Sequence, residues 1–349
     1  MCCCLPHGEL SDTLCSSVVN FSALYIFEGN IFKMKIKILS TPLQGFTDFR
    51  FRNNFDRFFG GIDTYYAPYI RLQNDFLIKS SQQRDVLPEN NKVKELIPQI
   101  MTNNAEEFLF TAKHVQQLGY NELNWNLGCP YPMVTKRALG SGLIKEKNRI
   151  DEILKRISSE SDINISIKLR LGYENNREIL DLLPILNRYK LTNLIIHPRI
   201  GKQLYKGTVD LDTFRQCTED TDHEICYNGD IDSTEKFLIL QEKFPNVSQW
   251  AIGRGLIANP FLPAMIRNND FNKPENWIET FDRFHDALFR EYAESLSGST
   301  HILLKMKSYW EYFSQIFSNP HKVHKGIRKA KNVNTYHETV KSICRDYID

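Results

Sequence analysis

Residues 96–126 decide the fold: the run Leu96-Ile97-Pro98-Gln99-Ile100-Met101, the segment Glu106–Leu118, and a second run, Glu122-Leu123-Asn124-Trp125-Asn126. In the middle segment Phe108, Ala112, Val115 and Leu118 recur at helical spacing, so one face is apolar. The flanking runs have the length of strands. Strand, helix and strand joined in this way pair in parallel through a right-handed crossover.

The same unit repeats to either side. Strands are expected at Lys35–Ser40, Thr64–Pro68, Leu96–Met101, Glu122–Asn126, Asn164–Leu169, Asn193–His197, Glu224–Asn228 and Gln249–Ile252, with amphipathic segments such as Asp151–Ser158 and Asn176–Tyr189 between them. This repetition predicts an α/β fold, a (β/α)8 TIM barrel. The competing architecture is an open doubly wound sheet, but no G-x-G-x-x-G turn follows the first strand. After Pro260 the alternation stops. Phe281, Phe284, Leu288 and Tyr292 keep helical spacing, Lys305–Phe317 reads as a second helix, and Asn319-Pro320 supplies an N-cap and first-turn proline for a third. The expected organisation is a leader at 1–33, the barrel at 34–265, a polar linker at 266–276 containing Pro274, and a small all-α C-terminal domain at 277–349.

Composition narrows the class. The 349 residues are 42% hydrophobic and 25% charged, ordinary for a globular chain, and the net charge of +2 leaves attraction to nucleic acid to a local patch. No run of about 18 uncharged apolar residues is present, so a membrane span is not expected. Glu9 and Asp12 precede the apolar stretch Ser16–Phe27 in place of a basic leader, which argues against a signal peptide. Met34 reads as the functional start, with residues 1–33 a disordered or mis-assigned leader. Cys2, Cys3 and Cys4 are consecutive and the later cysteines scattered, which suits neither a zinc site nor a disulfide framework. A reducing, cytoplasmic setting without a metal follows.

Reactive groups of such a barrel sit at the C-terminal ends of its strands. The unusual local sequences fall there: Ser40-Thr41-Pro42-Leu43-Gln44-Gly45-Phe46-Thr47-Asp48 after the first strand, Gln99 on the third, Asn126-Leu127-Gly128-Cys129-Pro130 after the fourth, and Lys168-Leu169-Arg170 on the fifth. His197-Pro198-Arg199, with Gln203 and Tyr205 beyond, follows the sixth; Asn228-Gly229-Asp230 and Gly253-Arg254-Gly255 end the seventh and eighth. In this order, and with Gly140 and Gly142 after the cysteine, the segments resemble the tRNA-dihydrouridine synthase family from about Ile36 to the C-terminus. Pro198 departs from that family's usual glycine and Leu43 from its methionine; neither removes a reacting group.

The resemblance implies FMN, a tRNA substrate, and NADPH (or NADH) as reductant. Uracil has a C5=C6 bond conjugated to the C4 carbonyl, so hydride addition at C6 must be followed by a proton at C5. Cys129 is the expected proton donor, because an ordinary thiol with pKa ~8.5 is protonated near neutrality. Asn126 is expected to hold the base edge. Lys168 and Arg170, two apart on a strand, share a face. By the resemblance Lys168 faces FMN, and Arg170 can polarise the uracil carbonyl. His197 is expected at the flavin or the base, with Tyr205 on the substrate side. Pro42 and Gln99 resemble positions that hold the isoalloxazine ring. Asn228, Gly229, Asp230, Gly253 and Arg254 are expected at the phosphate, where glycines permit close approach and Arg254 a bidentate contact.

From Lys305 onward nine Lys and Arg residues face Glu311, Glu338, Asp346 and Asp349, an excess of about five positive charges. Lys322, Lys325 and Lys329 fall on one helical face and suit phosphates. Tyr309, Trp310 and Tyr312 read as core. Two other functions share these features: an FMN-dependent small-molecule pyrimidine oxidoreductase, and a non-catalytic RNA-binding barrel. A monomer is expected.

Overall fold

Strands buried on both faces close the chain into a barrel in the computed structural model, which describes residues 36–73 and 76–348; the expected leader, 1–33, lies outside the described residues. The strands are β1 (Lys37–Ser40), β2 (Thr64–Tyr66), β3 (Leu96–Ile97), β4 (Gln99–Ile100), β5 (Glu122–Leu127), β6 (Asn164–Gly172), β7 (Leu194–Ile200), β8 (Ile225–Asn228) and β9 (Gln249–Ile252). All pairs are parallel, in the order β3-β2-β1-β9-β8-β7-β6-β5-β4. The two ends of that order, β3 and β4, are halves of one strand interrupted at Pro98, which has no N–H to give a ladder. The sheet therefore closes on itself, and the open doubly wound alternative is excluded.

Strand periodicity sorts the side chains. Outward-facing Ile38, Trp125, Ile167, Tyr227 and Trp250 join helix residues Phe51, Phe108, Ile153 and Leu182 in the main core. Inward-facing Leu39, Tyr66, Ile97, Ile195, Cys226 and Ala251 form a smaller core inside the barrel. Fully burying each large aliphatic or aromatic side chain stabilises the fold by ~1.5–3 kcal/mol. Polar groups also enter the barrel, several of them paired: Gln99 Nε2 donates to Asn124 Oδ1 at 2.7 Å and Asn124 Nδ2 to Ser166 Oγ at 2.8 Å. Surrounding helices start where capping allows. Asn104 accepts from the Glu106 and Glu107 N–H groups to open the helix Ala105–Gln117.

The C-terminal region holds four longer helices, Trp277–Ser295, Ser299–Phe313, Pro320–Lys329 and Val333–Asp346. The last is one more than the periodic pattern predicts: Asn332 accepts from Thr335 N–H and starts a new helix just after the previous one stops. This region packs on the barrel through aromatic rings, with Phe51 stacked on Tyr309 at 5.6 Å and edge-on to Phe284 at 6.0 Å. It also clasps the loop after β1. Tyr292 Oη donates to the Asp48 carboxylate at 2.8 Å, Lys305 Nζ donates to Gly45 O at 2.7 Å, and Tyr309 Oη donates to Phe46 O.

This packing corrects part of the charge reading. Lys305 is turned inward, 3.7 Å from Asp48 and over the rings of Tyr292 and Tyr309. Lys307 donates to Arg328 O at 3.1 Å and to Ala330 O, closing the C-terminus of the helix Pro320–Lys329. Neither is available to RNA. Lys322, Lys325 and Lys329 are exposed, while Val323 and Ile327 on the opposite face are buried. Among the described residues no helix is long and apolar enough to cross a membrane.

Candidate active site

The C-terminal ends of the strands surround a cleft of ≈ 860 Å³. It brings together Pro42, Asn126, Cys129, Lys168, Arg170, His197, Tyr205, Asn228, Gly229, Asp230, Gly253 and Arg254, residues up to 212 positions apart in the chain (254 − 42). Gln99 does not line the cleft. It is wholly enclosed beneath it, between Asn124 and Asn126. The exposed lysines of the helix Pro320–Lys329 do not line it either.

The cysteine loop is fixed from both sides. Asn126 Oδ1 accepts from the Gly128 and Cys129 N–H groups, both at 3.0 Å, and Asn126 Nδ2 donates to Gln99 Oε1 at 2.7 Å. Cys129 O accepts from Ser141 N at 3.0 Å and Ser141 Oγ at 3.1 Å. Gly140, at φ +54°, must lack a side chain: a Cβ there would lie 2.5 Å from Cys129 O. Asn126, expected at the base edge, thus spends most of its bonding capacity on shaping this loop. The half-buried thiol is pushed up from its ordinary pKa, mainly by desolvation, with Arg170 and Lys168 opposing. It stays protonated at neutral pH.

Cations face it. Lys168 pairs with Asn126 in strand register and lies in the cleft. Its ammonium has no hydrogen bond or ion pair among the described residues. Burial, then the neighbouring Arg170, pushes its pKa down to about 8. Arg170 is pulled down to about 10, mainly by burial. Its Nε donates to Gly128 O and its Nη1 to Ile200 O, both at 3.0 Å, and its guanidinium lies 5.3 Å from the Tyr205 ring centre. It therefore ties the cysteine loop to β7 as well as lining the cleft. His197 Nε2 lies 3.1 Å from Arg199 Nη1. A guanidinium only donates, so Nε2 accepts and the ring proton sits on Nδ1. Burial first, and then Arg170 and Lys168, holds this histidine well below its usual pKa, so it is neutral.

Pro198 sits where the β6–β7 register shifts between Arg170 and Gly172, a bulge that tolerates a residue without an N–H. On the far side of the cleft Asp230 holds two guanidiniums. Arg199 contacts its carboxylate at 2.5 and 3.0 Å, and Arg254 at 3.3 Å. Asp230 reaches both from a left-handed backbone, φ 46°. Its carboxylate is thereby committed and is no ligand for a phosphate, whereas Arg254 keeps a cleft-facing charge above the Tyr205 ring at 4.3 Å.

These residues fit a flavin. A half-buried, desolvated ammonium without a partner suits an electron-rich edge, and the His197 Nδ1–H is a second donor without a partner among the described residues. Gly229, Gly253 and Arg254 give an anion close backbone approach and a positive charge on the opposite wall. Several contributors escape the sequence reading. Ser141 was legible only as part of Gly140-Ser141-Gly142, and Arg199 only as the neighbour of His197. Tyr312 and Gln315, from the C-terminal region, also line the cleft. Tyr309 and Trp310 are core, as their spacing suggests, but Tyr312 is not.

Comparison with known proteins agrees with this picture. The chain is 23% identical over 318 residues to the tRNA-dihydrouridine(16) synthase of Neisseria meningitidis serogroup B, covering 86% of this chain and 93% of that protein. It is 24% identical over 292 residues to tRNA-dihydrouridine synthase B of Shewanella oneidensis, covering 83% and 86%. Among solved structures, the old yellow enzyme homologue of Zymomonas mobilis shares the barrel at a TM-score of 0.51 and 10% identity, over 70% of this chain and 92% of that one. The family model described as "Dihydrouridine synthase (Dus)" matches residues 38–347. The chain belongs to the dihydrouridine synthase family.

Proposed function

We propose that this protein reduces the C5=C6 bond of uridine in tRNA, with FMN as the hydride carrier, NADPH or NADH as the reductant and Cys129 as the proton donor. As a family member the chain is a flavin-dependent oxidoreductase. The observation that carries the finer reading is one cleft holding a protonated thiol and a half-buried lysine without a partner among the described residues.

FMN, when bound, supplies hydride chemistry that side chains lack. Lys168 and the His197 Nδ1–H are the donors that would hold its polar edge, and Arg254 with the Gly229 and Gly253 backbones would receive its phosphate. On the substrate, hydride addition at C6 leaves negative charge shared between C5 and the C4 carbonyl oxygen. Cys129 Sγ–H gives its proton to C5, and a positioned acid of this kind contributes ~10²–10⁴ in rate. The thiol's raised pKa keeps the proton available; the adjacent Arg170 and Lys168 favour the thiolate that remains. Arg170 stabilises the developing oxyanion electrostatically. Asn126 and Ser141 act by holding the Cys129 backbone.

A folded tRNA must turn its uridine outward to enter such a cleft. The exposed lysines at 322, 325 and 329 suit contacts to phosphates, which orient RNA without reading its sequence. That Tyr312 and Gln315 of the helical region line the cleft supports an RNA substrate over a free pyrimidine, which needs no such region. The test is direct. Purified protein should be yellow, absorbing near ~450 nm, and should form dihydrouridine in tRNA when supplied with NADPH. Protein that takes up FMN but leaves tRNA uridines intact while reducing free pyrimidines overturns the RNA reading.

A further inference from the structure

Three tyrosines from distant segments converge on the mouth of the cleft: Tyr131 beside the cysteine, Tyr205 beyond β7 and Tyr312 of the helical region. Tyr205 is occupied, with Arg254 stacked on it and His197 tilted against it at 6.3 Å. Tyr312 presents an edge to Phe46 at 5.3 Å and 90°, which fixes its ring while leaving it half-buried. Tyr131 is 55% exposed, and among the described residues its ring makes no aromatic contact and its hydroxyl no hydrogen bond. Met133, two residues on, is 83% exposed. The hydroxyls of Tyr131, Tyr205 and Tyr312 are close enough to affect one another electrostatically.

A single exposed aromatic needs no explanation. Here the cysteine loop and the helical region each bring an incompletely buried aromatic ring to one reaction cleft, whose lining also includes Lys168, Arg170 and Arg254. A uridine turned out of a folded RNA leaves its neighbours' faces unstacked, and aromatic side chains are the usual platform for such bases. We propose that Tyr131 and Tyr312 form a subsite at the cleft mouth that stacks the nucleobase adjacent to the uridine being reduced. Stacking accepts any base, so the subsite selects RNA that presents its uridine beside an unpaired nucleotide, not a particular sequence. This rests on the tRNA reading above.

The experiment compares Tyr131→Ala, Tyr131→Phe, Tyr312→Leu and Tyr312→Phe with the unmodified flavin-loaded protein, measuring KM and kcat for tRNA and the flavin content. Loss of one stacking platform should raise KM for tRNA about 5- to 150-fold, with a smaller effect on kcat, and flavin content should be retained. Each Phe variant should restore KM, because the ring and not the hydroxyl makes the contact. Tyr131 is exposed, so its variants report even where Tyr312→Leu disturbs packing on Phe46. KM within twofold of the parent in Tyr131→Ala, or Phe variants as impaired as their truncated counterparts, overturns the subsite while leaving the tRNA reading intact. Absence of dihydrouridine from the unmodified protein removes both.

Discussion

Replacing Asn126 with alanine should loosen the reactive loop while leaving the thiol in place. Asn126 makes three hydrogen bonds: its oxygen accepts from Gly128 and Cys129 N–H at 3.0 Å, and its nitrogen donates to Gln99 Oε1 at 2.7 Å. Gly128 and Gln99 are buried, so two groups would lose partners that water cannot easily replace. Each such orphan costs ~1–3 kcal/mol, and the third bond, at half-buried Cys129, ~0.5–1.5 kcal/mol. The sum is about 2.5–7.5 kcal/mol, and relaxation of the loop draws it toward the lower end. Urea unfolding of the flavin-free protein reads this as a shift in midpoint at constant slope. Turnover should fall as well, since displacing a reacting group by ~1 Å costs on the order of 10²-fold. Asn126→Asp keeps the oxygen that accepts from Gly128 and Cys129 but sets a second oxygen against Gln99 Oε1, so it should keep the loop N–H groups paired while losing the link to Gln99. A destabilisation below ~0.5 kcal/mol with unchanged kcat would refute the assignment of Asn126 as the support of the loop.

The remaining expectations concern charge. Burial holds the Cys129 thiol above its ordinary pKa, and only thiolate reacts with iodoacetamide. Modification of the Cys129 peptide, followed by mass spectrometry, should therefore be slower than that of a free thiol at about pH 8 and still be rising at about pH 9. Lys168 titrates near 8, so its charge is present below that pH and lost above it. The Kd for FMN should accordingly rise as pH passes about 8, and Lys168→Met should weaken binding and flatten that dependence; a parent profile flat from pH 7 to 9 would argue against an interaction of Lys168 with the flavin. Changing Lys322, Lys325 and Lys329 together to alanine should weaken tRNA binding and reduce the magnitude of the slope of log K against log salt by about 2–3, roughly one for each lysine that neutralises a phosphate. An unchanged slope would place the RNA elsewhere.

The barrel was legible because its strands are buried on both faces and read as short apolar runs, and each run reappears as a strand within a few residues. Pro98 was visible as a residue, but its effect, dividing one strand into β3 and β4, depends on which N–H the neighbouring strand requires. Lys168 and the thiol could be placed at one mouth because strand spacing and strand ends are local facts. What each polar group bonds to is not local. Asn126 looked like a reader of bases, and its oxygen also holds the Gly128 and Cys129 N–H groups of its own loop while its nitrogen donates to Gln99. Asp230 looked like part of a phosphate site, yet its charge is taken by Arg199, 31 residues away. Lys305 and Lys307 counted as surface charge because composition does not say which way a helix face turns, and the position of Tyr312, in the cleft and edge-on to Phe46, depends on how the helical region packs.

Nucleoside mass spectrometry on an unmodified tRNA transcript, incubated with flavin-loaded protein and NADPH, tests the central claim most directly. The parent protein should convert uridine to dihydrouridine, and Cys129→Ala, with its flavin retained, should do so ~10²–10⁴-fold more slowly. A flavin-loaded parent that leaves every uridine unchanged, or a Cys129→Ala variant that matches its rate, would contradict the account.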